Sequence, residues 1–281
     1  MMFRSSAPFV CVLLLVSSAC DAARSDAARA GAPVEHAPSA KGSSAPAATA
    51  PAAVAPSASV SPEAASAVPP PPPPPSGPAM VEALPMPDDL PIALVKSADG
   101  KPPRIVFLPG ICSNAGAYLW GFAEAARAHG GAIAIDGDRP CGNSRDFHSI
   151  TSDPKHEGPR IRAALAAAGH TSPDSADVVL VGYSLGVTLI ENLVKESPER
   201  WPHVVLIGAS HAPRLDRLKG IRRVATMSCS LDVPGRMKAA ARMFEGASIP
   251  ARYFEMPGCT HGNIAEGNEI FSDVFDWLEA K

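Results

Sequence analysis

The sequence predicts an α/β fold over residues 81–281, with a mostly parallel β-sheet covered by helices on both faces. Short apolar runs rich in β-branched residues alternate there with longer stretches of helical periodicity, which is the pattern of a parallel sheet. The run 177–182, Asp-Val-Val-Leu-Val-Gly, is apolar without alternation, as expected of a strand buried on both faces. A segment of about 200 residues is long enough for one domain with a substantial core.

The individual elements follow from the same local patterns. The predicted strands are 92–96, 104–108, 132–135, 177–182, 203–207, 223–229 and 252–256. The predicted helices are 114–129, 158–168, 185–196, 236–244 and a C-terminal helix with Ile270, Val274 and Leu278 on one face. The turn-like residues 97–100 predict a hairpin between the first two strands. The connection 207–223 is short for a lid domain, so we expect a minimal lid or none and an open site.

The N-terminal 80 residues differ in composition from the rest. Residues 1–20 contain an early cation, an apolar stretch and then small residues before Cys20, a pattern typical of a secretory signal. The small residues before Cys20 resemble a bacterial lipoprotein signal, which implies that this cysteine is lipidated and anchors the protein to a membrane. Ser17 departs from that pattern, so cleavage and release is the alternative. Residues 21–80 are rich in Ala, Pro and Ser and predict a disordered tether.

These features predict an exported protein of the bacterial cell envelope, lipid-anchored or otherwise periplasmic or secreted. The alternative for the proline run 69–75 is recognition by a proline-binding partner. A formal net charge of −3 and a pI near 6.2 give no electrostatic reason to expect a nucleic-acid partner. No close Cys/His pair has the spacing of metal ligands, so we expect neither a metal site nor a cofactor.

The segment Gly182-Tyr183-Ser184-Leu185-Gly186 matches the pattern G-x-S-x-G between a predicted strand and a predicted helix. A turn this tight requires small residues two before and two after the serine, which is the role expected of Gly182 and Gly186. Ser184 is then exposed at the head of a helix, where the amide of Leu185 and the helix N-terminus can stabilise negative charge. This strand–turn–helix arrangement resembles the nucleophile elbow of the α/β-hydrolases.

A nucleophilic serine needs a base and an acid, and in α/β-hydrolases these follow the serine in the order acid, histidine. His261 follows the last predicted strand, and Asp232 follows the strand before it. Both thus lie at the carboxyl edge of the sheet, where Ser184 also emerges. We expect His261 to accept the proton of Ser184 and Asp232 to orient the imidazole. The alternatives are His211 as base, and Asp216 or Glu255 as acid.

The resemblance to α/β-hydrolases extends to the segment Pro109-Gly110-Ile111, which is similar to their His-Gly-x segment with proline in place of histidine. It implies an oxyanion hole formed by the amides of Ile111 and Leu185. The resemblance covers essentially the whole domain but does not indicate the substrate.

Export leads to an oxidising compartment, in which four cysteines of the domain can pair. Cys112 and Cys141 end adjacent loops at the carboxyl edge, while Cys229 and Cys259 precede Asp232 and His261 by a few residues. This placement predicts the disulfides Cys112–Cys141 and Cys229–Cys259, the second bracing the acid and the base. Four buried free thiols are the alternative.

The function that this arrangement favours is hydrolysis of a carboxylic ester or thioester through an acyl-serine intermediate. The expected substrate is a small-molecule or lipid-like ester, and an open site predicts tolerance of bulky or surface-bound acyl groups. Amidase or peptidase activity uses the same residues and is the enzymatic alternative. The other is a binding module that keeps the fold without catalysis.

Overall fold

The computed structural model describes residues 78–175 and 177–280. The predicted signal segment 1–20 with Cys20, and all but the last residues of the predicted tether 21–80, lie outside the described residues. Within the described ranges, no helix combines the length and the apolar character needed to cross a membrane.

The described residues form an eight-stranded sheet, a small two-stranded sheet and six α-helices. The strands are β1 (Glu82–Met86), β2 (Asp89–Val95), β3 (Ile105–Leu108), β4 (Ala132–Ala134), β5 (Arg139–Pro140), β6 (His148–Ser149), β7 (Val179–Tyr183), β8 (His203–Ile207), β9 (Arg223–Cys229) and β10 (Ala251–Met256). The helices are α1 (Ala115–Trp120), α2 (Ala123–Ala128), α3 (Pro154–Ala167), α4 (Leu185–Glu196), α5 (Pro234–Gly246) and α6 (Gly267–Glu279).

The large sheet has the order β1-β2-β4-β3-β7-β8-β9-β10 and is parallel from β4 to β10. Successive side chains of a strand point to opposite faces, so each central strand contributes to two cores. Leu180 packs with helices α3, α4 and α5 on one face, whereas Val179 and Val181 pack with α1, α2 and α6 on the other. This confirms the predicted α/β architecture with helices on both faces.

The predicted hairpin between strands 92–96 and 104–108 is wrong. β2 pairs antiparallel with β1 and β4, and β3 lies between β4 and β7. The predicted turn does form, with Gly100 donating its amide to the Ser97 carbonyl, but it only sets the local chain direction. All four residues of β3 are buried, and this strand occupies the sheet interior, where both its faces are covered.

The predicted helix 114–129 is also interrupted, because α1 ends at Trp120 and α2 begins at Ala123. The break coincides with a close approach between the chain at Gly121 and the start of α6. A Cβ atom on Gly267 would lie 2.0 Å from the Gly121 carbonyl oxygen. The contact therefore requires glycine at position 267. Helical periodicity reflects only local sequence and cannot predict a contact between residues this far apart in the chain.

The connection between β8 and β9 contains only one short 3-10 turn, Leu215–Arg217. No inserted helical domain interrupts this part of the chain, in agreement with the predicted minimal lid. The carboxyl ends of β3, β7, β8, β9 and β10 therefore open directly onto the loops that carry the candidate site residues.

Candidate active site

Ser184 lies in a sharp turn between the end of β7 and the start of α4, with φ 52° and ψ −109°. The two flanking glycines allow this turn by close packing. A Cβ on Gly182 would lie 2.7 Å from the Gly186 carbonyl group, and one on Gly186 would lie 2.1 Å from the Leu108 carbonyl oxygen. Backbone atoms thus leave no room for a side chain at either glycine, as the tight turn predicts.

His261 and Asp232 both converge on this serine. The Oγ atom of Ser184 lies 3.1 Å from Nε2 of His261, whose Nδ1 lies 2.8 Å from Oδ2 of Asp232. With the imidazole proton on Nδ1, that nitrogen donates to the carboxylate and Nε2 accepts from the serine hydroxyl. The His261 side chain is 44% exposed and that of Asp232 is 15% exposed, so the base is open to solvent while the acid is shielded.

The two residues expected to form an oxyanion hole flank Ser184. Leu185 is the first residue of α4, where a backbone amide has no intrahelical acceptor. Ile111 follows β3, and its neighbour Gly110 packs so tightly that a Cβ there would lie 3.1 Å from Cβ of Ser184. The Ile111 carbonyl accepts a hydrogen bond of 3.2 Å from the Ser113 hydroxyl, which restrains the loop beside the serine.

Both predicted disulfides are present. Cys112–Cys141 links the loop after β3 to the loop of the β5–β6 ribbon. Cys229–Cys259 links the last residue of β9 to the loop that carries His261. The second crosslink is reinforced by the Leu231 amide, which donates to the Cys259 carbonyl at 3.0 Å, so the segments bearing the acid and the base are tied covalently and through the backbone.

Two tyrosines hold the histidine loop, and sequence reasoning did not identify either role. The Gly262 amide donates to the Tyr183 hydroxyl at 2.8 Å, and the Tyr118 hydroxyl donates to the Gly262 carbonyl at 2.9 Å. The Tyr183 ring is 1% exposed and contacts the His261 ring edge-on. Burial raises the pKa of Tyr183 to about 12, so its hydroxyl stays neutral and protonated. The sequence feature that could have indicated this role is the position of Tyr183 directly before the serine in the G-x-S-x-G motif.

Gly208 is a further residue that the sequence analysis missed. It follows β8 with φ +54°, and a Cβ there would lie 3.3 Å from both Oδ2 of Asp232 and Nδ1 of His261. A side chain at this position would press on the acid–base pair in a backbone conformation that favours glycine.

The alternative site residues are engaged elsewhere. His211 lies 3.1 Å through Nε2 from the buried carboxylate of Glu191, which also accepts the Arg214 amide. Asp216 pairs with Arg214, and Glu255 pairs with Lys238. The arrangement therefore favours His261 and Asp232 over each of the alternatives.

One group of potential metal ligands exists among the described residues, formed by Asp138, His156 and Glu157. Its members already have protein partners. His156 lies 2.9 Å from Asp138, and Glu157 accepts hydrogen bonds from Arg160 and from the Thr151 amide. Nothing in these contacts points to a bound cation.

Comparison with known proteins supports the fold but does not assign the chain to a family. No protein-family model matches the sequence, and no curated protein matches it either. Among solved structures, the chain is similar to a predicted CIB-like hydrolase from Thermoplasma acidophilum, with 19% identity over 71% of this chain and 97% of that one and a TM-score of 0.52.

Two further solved structures resemble the chain at lower identity. A fluorophosphonate-binding serine hydrolase of Staphylococcus aureus is 10% identical over 73% of this chain and 100% of its own, with a TM-score of 0.52. The 2-hydroxy-6-oxo-6-phenylhexa-2,4-dienoate hydrolase of a Rhodococcus strain is 12% identical over 72% and 100%, also with a TM-score of 0.52. At these identities the likeness establishes the fold alone: the chain has the α/β-hydrolase fold.

Proposed function

We propose that this protein is a serine hydrolase that cleaves a carboxylic ester or thioester through an acyl-serine intermediate. The observation that carries the proposal is the chain of contacts from Ser184 Oγ to His261 Nε2 at 3.1 Å and from His261 Nδ1 to Asp232 at 2.8 Å. These lie within or close to hydrogen-bond reach, as a nucleophile, its base and the group that orients the base require.

The proposed reaction has two halves. In the first, Oγ of Ser184 attacks the substrate carbonyl carbon while His261 takes the hydroxyl proton, and His261 then returns that proton to the departing alcohol or thiol. In the second, water loses a proton to His261 and attacks the acyl carbon, and His261 then returns that proton to Oγ of Ser184 as the bond between the acyl carbon and Oγ breaks and the acid leaves. The amides of Ile111 and Leu185 stabilise the negative oxygen in both halves.

Reaction with a small fluorophosphonate, which forms a covalent bond to an activated serine, tests this proposal. We expect the wild type to react and Ser184→Ala to lose both labelling and ester hydrolysis. His261→Ala should lower labelling by at least about a hundredfold, since general-base catalysis contributes about 10²–10⁴-fold. His211→Gln is the matched control and should label normally. An unreactive wild type would overturn the proposal and favour a binding module instead.

The proposal includes the location of the protein, which rests on the sequence alone. The small residues before Cys20 and the Ala/Pro-rich segment after it support an exported, lipid-anchored protein whose domain works at the cell envelope. Fractionation of cells with the wild type and Cys20→Ala tests this, because loss of lipidation should move the protein out of the membrane fraction.

A further inference from the structure

A cleft of about 530 Å³ opens beside the candidate triad, between the loop after β3 and the loop that carries His261. Its wall includes Ile111, which bears one of the proposed oxyanion amides, and Gly262, which directly follows the proposed base. The cleft is therefore lined by neighbours of the candidate residues rather than by Ser184 or His261 themselves, and its volume falls in the range of small-molecule sites, about 300–1,000 Å³.

The side chains that line this cleft are all uncharged. Its larger members are Ile111, Tyr118, Phe147 and Ile264. A carboxylate or phosphate placed here would lose hydration without gaining a cationic partner, which is costly. An apolar group would instead bury these side chains further.

Most polar side chains of the cleft have hydrogen-bond partners within the protein. Asn114 accepts the Ala117 amide and donates to the Asp146 carbonyl, and Asn263 donates to Thr260. The Tyr118 hydroxyl donates to the Gly262 carbonyl, as described above. These groups are thus largely engaged within the protein, and the cleft presents an uncharged surface of mixed polar and apolar character.

The Phe147 side chain is half-exposed, and its backbone is held by contacts with neighbouring segments. Its carbonyl accepts the Cys141 amide at 3.0 Å, and the adjacent His148 exchanges two backbone hydrogen bonds with Ser113. The disulfide Cys112–Cys141 links the same two segments, the loop after β3 and the loop between β5 and β6. An aromatic ring carried by a restrained backbone at the edge of a cleft can bury its face against a ligand with little ordering of the chain.

We propose that this cleft binds an uncharged arm of the substrate, so that the enzyme selects neutral esters over anionic ones, with Phe147 as a specificity-determining residue. This inference rests on the proposed function. It adds the substrate class, which the triad does not determine.

The test compares neutral and carboxylate-bearing esters in each arm. For the acyl arm these are p-nitrophenyl butyrate and p-nitrophenyl hemisuccinate, and for the alcohol arm phenyl acetate and 4-carboxyphenyl acetate. We expect kcat/KM to favour the neutral ester at least about tenfold in one arm. Phe147→Ala should reduce that ratio severalfold by raising KM for the neutral ester.

Trp120→Ala removes a similarly exposed aromatic ring that does not line the cleft, and it should leave the ratio unchanged. Equal rates for charged and neutral esters in both arms, or a ratio that Phe147→Ala does not alter, would overturn the proposal. If the wild type labels with the small fluorophosphonate in that case, the proposed function stands and only the cleft assignment falls. A wild type that neither labels nor hydrolyses any ester would remove both.

Discussion

The two halves of the candidate site are held by different means. The nucleophile turn, residues 182–186, depends on close backbone packing, in which the positions of Gly182 and Gly186 leave no room for a Cβ atom. The proposed acid Asp232 and the proposed base His261 lie in loops after β9 and β10, held by the Cys229–Cys259 disulfide and by two tyrosine hydroxyls. The nucleophile turn should therefore be sensitive to added atoms, and the two loops should be sensitive to loss of the disulfide or of a hydrogen bond.

This difference follows from where each half lies. Residues flanking Ser184 belong to a fully buried strand, β7, and to helix α4, of which more than half is buried, and dense packing there leaves little room to adjust. Loops at the open edge bury less apolar surface, so crosslinks and hydrogen bonds are needed to keep His261 within reach of the serine. Removing these restraints should change catalysis more than it changes the fold.

The largest effect is expected from Gly186→Ala, which adds one methyl group to the nucleophile turn. Its Cβ would lie 2.1 Å from the Leu108 carbonyl oxygen. Overpacking typically lowers the free energy of unfolding by about 1–3 kcal/mol and occasionally more, and a contact this short against backbone places the variant at or above the upper end of that range. Urea denaturation measures the change. Gly235→Ala is the control, because a Cβ there meets no atom within 4 Å. Equal stability of the two variants would contradict the packing argument.

An intermediate effect is expected from removing the disulfide beside the acid–base pair. The double variant Cys229→Ala/Cys259→Ala should lose about 2–4 kcal/mol of unfolding free energy and should show a lower kcat, because the segments of Asp232 and His261 are no longer tied.

The control for this prediction is Cys112→Ala/Cys141→Ala, which opens a loop of similar length: the sequence separations are 29 and 30 residues. We expect comparable destabilisation there, with the kinetic change mainly in KM for neutral esters, because this disulfide supports the cleft. Identical kinetic changes in the two double variants would show that neither disulfide acts locally.

The smallest effect is expected from Tyr183→Phe, which removes one hydroxyl group. The exposed Gly262 amide then exchanges this acceptor for water, at a cost of about 0.5–1.5 kcal/mol, and kcat should fall about tenfold with KM little changed. Since the pKa of Tyr183 is about 12, the hydroxyl does not titrate in ordinary assays, and the variant should keep the pH profile of the wild type.

Tyr253→Phe serves as the comparison for Tyr183→Phe. Its hydroxyl contacts Ser228 and Glu255 in the sheet and makes no contact with the histidine loop. A fall in kcat equal to that of Tyr183→Phe would assign the effect to general stability, and the positioning role of Tyr183 would be lost.

Much of the fold follows from local pattern, because burial of both faces of a parallel strand leaves an uninterrupted apolar run. The strands around 177–182, 203–207 and 223–229 and the helix after Ser184 lie where the sequence predicts them. The hairpin pairing of β2 with β3 was predicted wrongly, since a turn at residues 97–100 fixes only the local chain direction and β4 lies between these two strands. The break at Gly121 was missed for a related reason, because its cause is a contact with Gly267 far along the chain.

The sequence by itself determined the nucleophile turn, because its steric requirement lies within five consecutive residues. It also pointed to Asp232 and His261 as acid and base, because each follows a strand that ends at the same edge of the sheet, and it predicted both cysteine pairs, because the cysteines lie close to that edge. Only the tertiary structure decided how these loops are held. Tyr118, Gly208 and Phe147 reach the candidate site through contacts between segments that are distant in the sequence. These contacts exist only once the chain has folded.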